Sequence, residues 1–369
     1  VTIELERSGV TTADGVRLNV EVTGPADAPV TVLLVHGWTC STRSWHHQVE
    51  GLPQILGRDA VRVVTYDHRG HGRSDAAPTG STRLEQLADD LVTVLDEVVG
   101  DGPVVYAGHS MGGMTLMAAA DQYPELFGPR IRAAALVSTT SGHLTEGALG
   151  IPARFDPTAA KIAPRVLNAV GRRIDRRAAT RAAAGAEGAE REALRRAGGV
   201  HAPSAEAAEA GAALAAEIAG GAAERAQAAG DARSAARLAQ VARRAGALAA
   251  RLQRPALKQV VFGKKVDPAE VQLFMEDLAV VPGVSYGGFF EAMLQHERGH
   301  VLKALDQLPV EIMHGTRDRL LPPRHANRIA AELPTARLWF YPGAGHMLMQ
   351  ERPRDVTHRL ASLARKASA

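Results

Sequence analysis

The sequence predicts an α/β fold: a mostly parallel sheet with helices on both faces and a long, mainly helical insertion. Three observations predict it. Strand-length apolar runs at residues 30–35, 61–66, 104–107, 132–138 and 310–313 alternate with helical segments, the pattern of a sheet covered on both sides. A strand, a sharp glycine turn and a helix follow one another through Val104-Val105-Tyr106-Ala107, Gly108-His109-Ser110-Met111-Gly112 and the small apolar stretch 114–120. The alternation stops after Ser141-Gly142 and resumes near Val310, so 369 residues read as one domain with a large insertion. The predicted division is a first core part at 1–143, an insertion at 144–304 and a second core part at 305–369.

Taken in order, residues 2–10 and 17–23 alternate apolar with polar around Ala13-Asp14-Gly15, which predicts a hairpin of two half-exposed antiparallel strands. The run at 30–35 ends in His36-Gly37 and is apolar throughout, as a fully buried strand should be. Residues 45–56 predict a short helix, and 61–66 another buried strand running into Asp67-His68-Arg69-Gly70-His71-Gly72-Arg73-Ser74. Leu84, Leu87, Leu91, Val94, Leu95 and Val98 form the apolar stripe of a helix over 82–99. In the insertion, Asp156-Pro157 starts a helix by an Asp cap and a first-turn proline. Residues 178–250 are rich in alanine and arginine, and no aromatic residue occurs between Phe155 and Phe262. Helix-favouring composition predicts amphipathic helices there, thin in large apolar groups, with a partly disordered insertion as the alternative. Asp267-Pro268 caps a helix carrying Val271, Phe274, Met275 and Leu278; Pro282-Gly283 breaks it; residues 286–297 make the next. Strands at 310–313 and 337–341 alternate with helices at 324–333 and 356–367.

The net charge of +3 is small, and basic residues are interleaved with acids, so nothing marks a nucleic-acid surface. No apolar run approaches the ~20 residues of a membrane span. The only cysteine, Cys40, leaves no intramolecular disulfide, which fits a reducing compartment. Val1-Thr2-Ile3-Glu4-Leu5 has the pattern of neither a secretory nor a transit peptide, so the expectation is cytoplasmic, for a chain that opens without methionine.

Chemically useful groups fall at the C-terminal ends of four strands: His36-Gly37-Trp38, Ser110, Asp318 and His346. In a parallel sheet these ends share one edge, where open α/β folds place their sites. Gly108-His109-Ser110-Met111-Gly112 fits G-x-S-x-G in its strand–turn–helix context, the nucleophile elbow. Together with His36-Gly37-Trp38, the Tyr66–Ser74 run, Gly315-Thr316-Arg317-Asp318 and Gly345-His346, the chain resembles the α/β-hydrolase family, in its serine-nucleophile branch, over about 30–142 and 305–369.

A serine hydroxyl needs a base to take its proton as it attacks. His346 would be that base, and Asp318 would fix its tautomer and stabilise the imidazolium. The oxyanion would be held by two backbone N–H groups, one on Met111 and the other, placed by the resemblance, on Trp38. His36 would brace the oxyanion loop, and His71 with its neighbouring arginines would hold the loop after the Asp67 strand. Cys40 has no assigned base and reads as a small buried residue. His296-Glu297-Arg298-Gly299-His300 fits H-E-x-x-H, but Gly299 looks like a helix end and would separate the two histidines, so no metal is expected.

Relatives with Asp at the elbow perform dehalogenation or epoxide opening, and Ser110 argues against both. The resemblance further implies that 144–304 is a helical cap, with Phe274, Met275, Phe289, Phe290 and Met293 as candidates for an apolar acyl or ring pocket. The predicted activity is hydrolysis of carboxylic esters with apolar substituents through an acyl-serine, on a small-molecule substrate and with no cofactor. A C–C bond hydrolase, a cyclase or perhydrolase on the same triad, and a slow-turnover small-molecule receptor remain alternatives.

Overall fold

Residues 5–144 and 258–368 are described by the computed structural model. The helix expected at Asp156-Pro157 and the alanine-rich stretch 178–250 lie outside the described residues. The strands are β1 (Glu6–Thr11), β2 (Arg17–Thr23), β3 (Thr31–Val35), β4 (Arg62–Tyr66), β5 (Val104–His109), β6 (Ile131–Val137), β7 (Val310–Gly315) and β8 (Arg337–Tyr341). They form one sheet in the order β1-β2-β4-β3-β5-β6-β7-β8. The β1–β2 and β2–β4 pairs are antiparallel, and every later pair is parallel. Among the described residues the longer α-helices are α1 (His46–Leu56), α2 (Leu84–Val94), α3 (Met111–Gln122), α4 (Pro268–Val280), α5 (Gly283–Leu294), α6 (Arg324–Glu332) and α7 (Pro353–Ala367), with one further turn of helix at Leu348–Glu351. No helix among the described residues is long and apolar enough to cross a membrane.

The apolar side chains sort into two layers, one on each face of the sheet. Leu87, Leu91 and Val94 of α2, Met114 and Met117 of α3, and Ile329 of α6 share one cluster with Leu33, Tyr106 and Leu136. Leu52 of α1 and Val356, Leu360 and Leu363 of α7 share the other with Leu34, Val105 and Val137. Successive residues of β3, β5 and β6 thus feed opposite layers, as the strand period requires.

Three expectations change in detail. β2 is buried from Leu18 to Thr23 and not half-exposed, because it lies inside the sheet between β1 and β4. Its polar residues are paired instead: Asn19 Nδ2 donates to Asp67 (2.9 Å), and Glu21 accepts from Arg7 (2.9 Å) and Arg73 (3.2 Å). The helix expected over 82–99 is regular only to Val94; its last turn, Leu95–Val99, widens, and Gly100 ends it at φ 75° with its N–H on the Leu95 carbonyl. α5 begins at Gly283 and stops at Leu294, before His296. By contrast the Asp267 cap is as read, its carboxylate accepting the Ala269 N–H at 2.9 Å.

The strand order reverses between β3 and β5: the chain leaves β3 for β4 on one side and returns to β5 on the other. In open α/β sheets ligand sites fall at such a switch point, here the carboxyl ends of β3 and β5. A cluster of buried imidazoles braces the loops after β3 and β4. His36 Nδ1–H donates to the Gly37 carbonyl (2.7 Å), and its Nε2 accepts the His68 N–H (2.9 Å). His68 Nε2–H donates to the His36 carbonyl (3.1 Å), and His71 Nδ1–H to the Arg69 carbonyl (3.1 Å). Arg69, fully buried, forks onto Asp90 at 2.6 and 2.7 Å and onto Asp14 at 2.7 and 3.0 Å, tying the loop after β4 to α2 and to the hairpin tip.

His36 must be neutral to accept the His68 N–H at Nε2, and burial favours the neutral form of all three rings. It pushes the pKa of His36 down to about 4 and that of His71 to about 3, with the neighbouring His36 adding to the effect on His71, and it lowers that of His68 as well. Unfolded, each titrates near 6.5, so between about pH 6.5 and 4 the unfolded chain binds more protons than the folded one. Stability is therefore full above pH 6.5 and falls as the pH drops toward 4, by up to about 1.4 kcal/mol per pH unit for each such histidine. Thermal melts from pH 7.5 to 4.5 should show this slope, and His71→Gln should flatten it; an unchanged slope in that variant removes His71 from the account.

Candidate active site

The elbow is built by close approach of backbones. Ser110 stands between β5 and α3 at φ 50°, ψ −113°, a strained conformation that persists only when the surroundings enforce it. A Cβ on Gly108 would lie 2.5 Å from the Gly112 backbone, and one on Gly112 would collide with the Val35 carbonyl. A Cβ on Gly37 would come within 3.0 Å of Ser110 Cβ and 2.7 Å of His109 Nδ1. The loop after β3 therefore lies against the elbow with no room between them. Four hydrogen bonds lock the turn: Ser110 N–H to the Val137 carbonyl (2.9 Å), Gly113 N–H and Thr139 Oγ1–H to the Ser110 carbonyl (2.9 and 2.7 Å), and Tyr106 O–H to the Gly112 carbonyl (2.7 Å). Met111 opens α3, so its N–H has no intrahelical acceptor and belongs to the positive end of the helix. Trp38 follows Gly37 directly on the opposing loop, and its ring is held by Nε1–H donating to the Tyr286 carbonyl (3.1 Å).

Asp318 and His346 meet across the ends of β7 and β8. Gly315 lets them do so, because a side chain there would strike the Gly345 and Ala344 carbonyls. His346 Nδ1–H donates to Asp318 Oδ2 at 2.7 Å, and Asp318 Oδ1 accepts the Leu321 N–H at 2.8 Å. With Nδ1 committed as donor, Nε2 carries the free lone pair of the neutral ring. Ser110, Asp318 and His346 are all buried. The histidine loop is tied to the elbow by His109, whose Nε2–H donates to the His346 carbonyl (3.0 Å) and whose ring lies 4.9 Å from that of His346. The Ser110 hydroxyl makes no hydrogen bond to His346 in this arrangement; such bonds commonly tighten only when substrate binds.

The candidate pocket residues divide between the two apolar layers. Phe289, Phe290 and Met293 of α5 pack in the layer of Met111 and Trp38, with Phe290 5.3 Å from the Trp38 ring and Phe289 5.5 Å from His71. Phe274 and Met275 of α4 belong to the other layer, where Phe274 meets Phe262 edge-on at 5.8 Å. The H-E-x-x-H histidines point to separate partners: His296, buried after the end of α5, has Nε2 on the Thr140 carbonyl (3.1 Å), while His300 faces Asp121 (3.3 Å). Cys40 is buried, and burial pushes its thiol pKa far up.

Glu351 belongs to this site and no motif announced it. Its carboxylate accepts the Gly345 N–H (3.0 Å) and the Gly263 N–H (2.8 Å), so it clamps the residue before His346 to the segment ahead of α4. His346 N–H in turn donates to the Val261 carbonyl (2.8 Å). Burial raises the Glu351 pKa to about 7 against the pull of those two N–H groups. A lone glutamate in Met-Gln-Glu-Arg carries no sequence signal for this; only the fold brings residues 263, 345 and 351 together.

Comparison with known proteins bears on this geometry. The family profile described as alpha/beta hydrolase fold matches residues 30–177. A bifunctional esterase/perhydrolase of Acinetobacter calcoaceticus is 37% identical over 115 residues, 31% of this chain and 39% of that protein. The lipase LipV of Mycobacterium tuberculosis is 34% identical over 148 residues, 39% of this chain and 52% of that protein. The chain thus spans about half or less of the length of these curated relatives. A thermophilic esterase from Thermogutta terrifontis superposes with a TM-score of 0.60 over 99% of this chain and 100% of its own, at 20% identity. A hydrolase from Pseudomonas aeruginosa does so with a TM-score of 0.61 over 97% and 98%, also at 20% identity. On its strand order, its elbow and these matches, the chain has the α/β-hydrolase fold.

Proposed function

We propose that the protein is a serine hydrolase of carboxylic esters with apolar acyl groups, working through an acyl-serine intermediate. The observation that carries this reading is the 2.7 Å bond from His346 Nδ1 to Asp318, which leaves Nε2 as the base at the sheet edge where the elbow presents Ser110. Nε2 takes the Ser110 proton as Oγ attacks the ester carbonyl. The Met111 and Trp38 N–H groups hold the oxyanion, each contributing roughly 3–4 kcal/mol at the transition state. The alcohol leaves with the proton from His346, and a water activated by the same ring then releases the acid. The names of the two curated relatives support ester cleavage. They also keep the perhydrolase alternative in view, since one is described as doing both.

In this reading 144–304 caps the site. α5 carries the acyl wall: Phe289, Phe290 and Met293 pack in the layer of Trp38, with the Phe290 ring 5.3 Å from that of Trp38. Phe274 and Met275 shape the opposite flank through Phe262.

Steady-state hydrolysis of p-nitrophenyl esters, thioesters and ring-cleavage diketones tests the activity. Esters should turn over. Ser110→Ala should lose about 10⁶-fold in kcat, and Asp318→Asn about 10⁴-fold with little change in KM. A diketone cleaved faster than any ester would replace this reading with C–C hydrolysis, and one turnover followed by retained ligand would make the protein a receptor. Phe290→Ala should lower kcat/KM for octanoyl esters by roughly 10-fold or more relative to acetyl esters, the cost of a few lost methylene contacts. Equal effects on both chain lengths would remove Phe290 from the pocket.

A further inference from the structure

Away from the sheet edge, a second set of groups converges where the insertion meets the core. His46 and His47 open α1, and Glu270 lies in the first turn of α4. Both imidazole Nε2 atoms face the same carboxylate oxygen, Glu270 Oε1, at 3.3 and 2.9 Å. One potential ligand atom from each of the three residues lies within 4.8 Å of the others. We propose that His46 Nε2, His47 Nε2 and the Glu270 carboxylate form a zinc-class divalent-metal site that fastens α4 to α1.

Three features favour a metal over a plain ion pair. The first is orientation. His46 Nδ1–H donates to the Arg43 carbonyl at 2.9 Å, the outer bond that fixes a metal-binding imidazole and leaves Nε2 as its donor atom. The second is an unmet need. Glu270 is only 6% exposed, and its other oxygen, Oε2, is buried with no hydrogen-bond partner among the described residues. Buried carboxylate oxygens are rarely left so, and a cation bound by this carboxylate supplies the missing partner. The third is spacing. Four ligands at ~2.0–2.1 Å around a tetrahedral ion stand roughly 3.3 Å apart. The two N···O separations, 3.3 and 2.9 Å, are close to that value, and the two imidazole atoms lie within 4.8 Å of each other.

The donor set selects the ion. Two imidazoles and one carboxylate suit zinc and its borderline neighbours, whereas calcium and magnesium take oxygen ligands. Both imidazoles are about a third exposed, at 34%, so an ion can enter and water can complete its coordination. On binding, the metal displaces any proton on the two Nε2 atoms, and no other bond forms or breaks. The site reinforces a seam that is already polar: Ser41 Oγ–H donates to Asp277 (2.7 Å), and Arg43 bridges Asp277 (3.2 Å) and Glu276 (2.8 Å). None of these groups belongs to the Ser110 machinery, so the inference stands or falls apart from the hydrolase reading.

The test uses the full chain, stripped with a chelator and titrated with Zn²⁺ and, for its visible spectrum, Co²⁺. The expected result is about one equivalent of Zn²⁺ per chain, tetrahedral Co²⁺ absorption bands, and a higher Tm with metal. Ser110→Ala should behave the same way. Glu270→Gln and His47→Gln should each weaken binding by roughly 10- to 100-fold and abolish the Co²⁺ bands. Circular dichroism confirms that each variant is folded, and if one is not, the other decides. No saturable binding to the parent, or binding of equal affinity in the folded variants, overturns the proposal.

Discussion

Everything at the candidate site depends on how closely two stretches of backbone pass at the carboxyl ends of β3 and β5. Gly112 lies under the Val35 carbonyl, Gly108 under the Gly112 backbone, and Gly37 against Ser110 and His109. No side chain fits at any of the three points, so the glycines are a steric requirement of the arrangement. The closeness puts Ser110 into its strained turn, the start of α3 beneath it and the Trp38 loop beside it. The strain at φ 50° is held by bonds from β6 and from Thr139 and Tyr106, which is to say by the packed centre of the sheet. A second close approach, Gly315 on Gly345, does the corresponding work for Asp318 and His346.

The two halves of the site are assembled differently. Ser110 is fixed by short-range geometry, through residues a few positions away in the elbow or one strand over. His346 is fixed by contacts from across the chain: Asp318 on its ring, His109 and Val261 on its backbone, and Glu351 on the residue before it. Val261, and Gly263, whose N–H Glu351 also accepts, precede α4 in the chain. The described residues that precede β7 therefore touch both the His346 loop, through Val261 and Gly263, and the Trp38 loop, through Tyr286 of α5.

Much of this was legible in the sequence, and the reason is physical. Strand ends carrying Gly-rich turns have few conformations open to them, so Gly108-His109-Ser110-Met111-Gly112 and Gly345-His346 declare both location and shape. The parallel order followed from uninterrupted apolar runs, because a strand buried on both faces needs no polar alternation. Pairings remote in sequence were not legible. The burial of Asn19 and Glu21 depends on β2 lying beside β4, the clamp of Glu351 depends on two glycine N–H groups 6 and 88 positions away, and the division of Phe274 from Phe290 depends on which layer each helix meets. Local pattern carries no record of such partners. The convergence of His46 and His47 on Glu270 is of the same kind, since 223 residues separate the second histidine from its carboxylate.

The central claim is that Ser110 is a nucleophile activated by His346, and covalent trapping tests it most directly. Treatment with a fluorophosphonate, followed by peptide mass spectrometry, should find one adduct, on Ser110, formed far more slowly in His346→Ala. An unlabelled Ser110 in folded protein, or labelling at the same rate without His346, would contradict it.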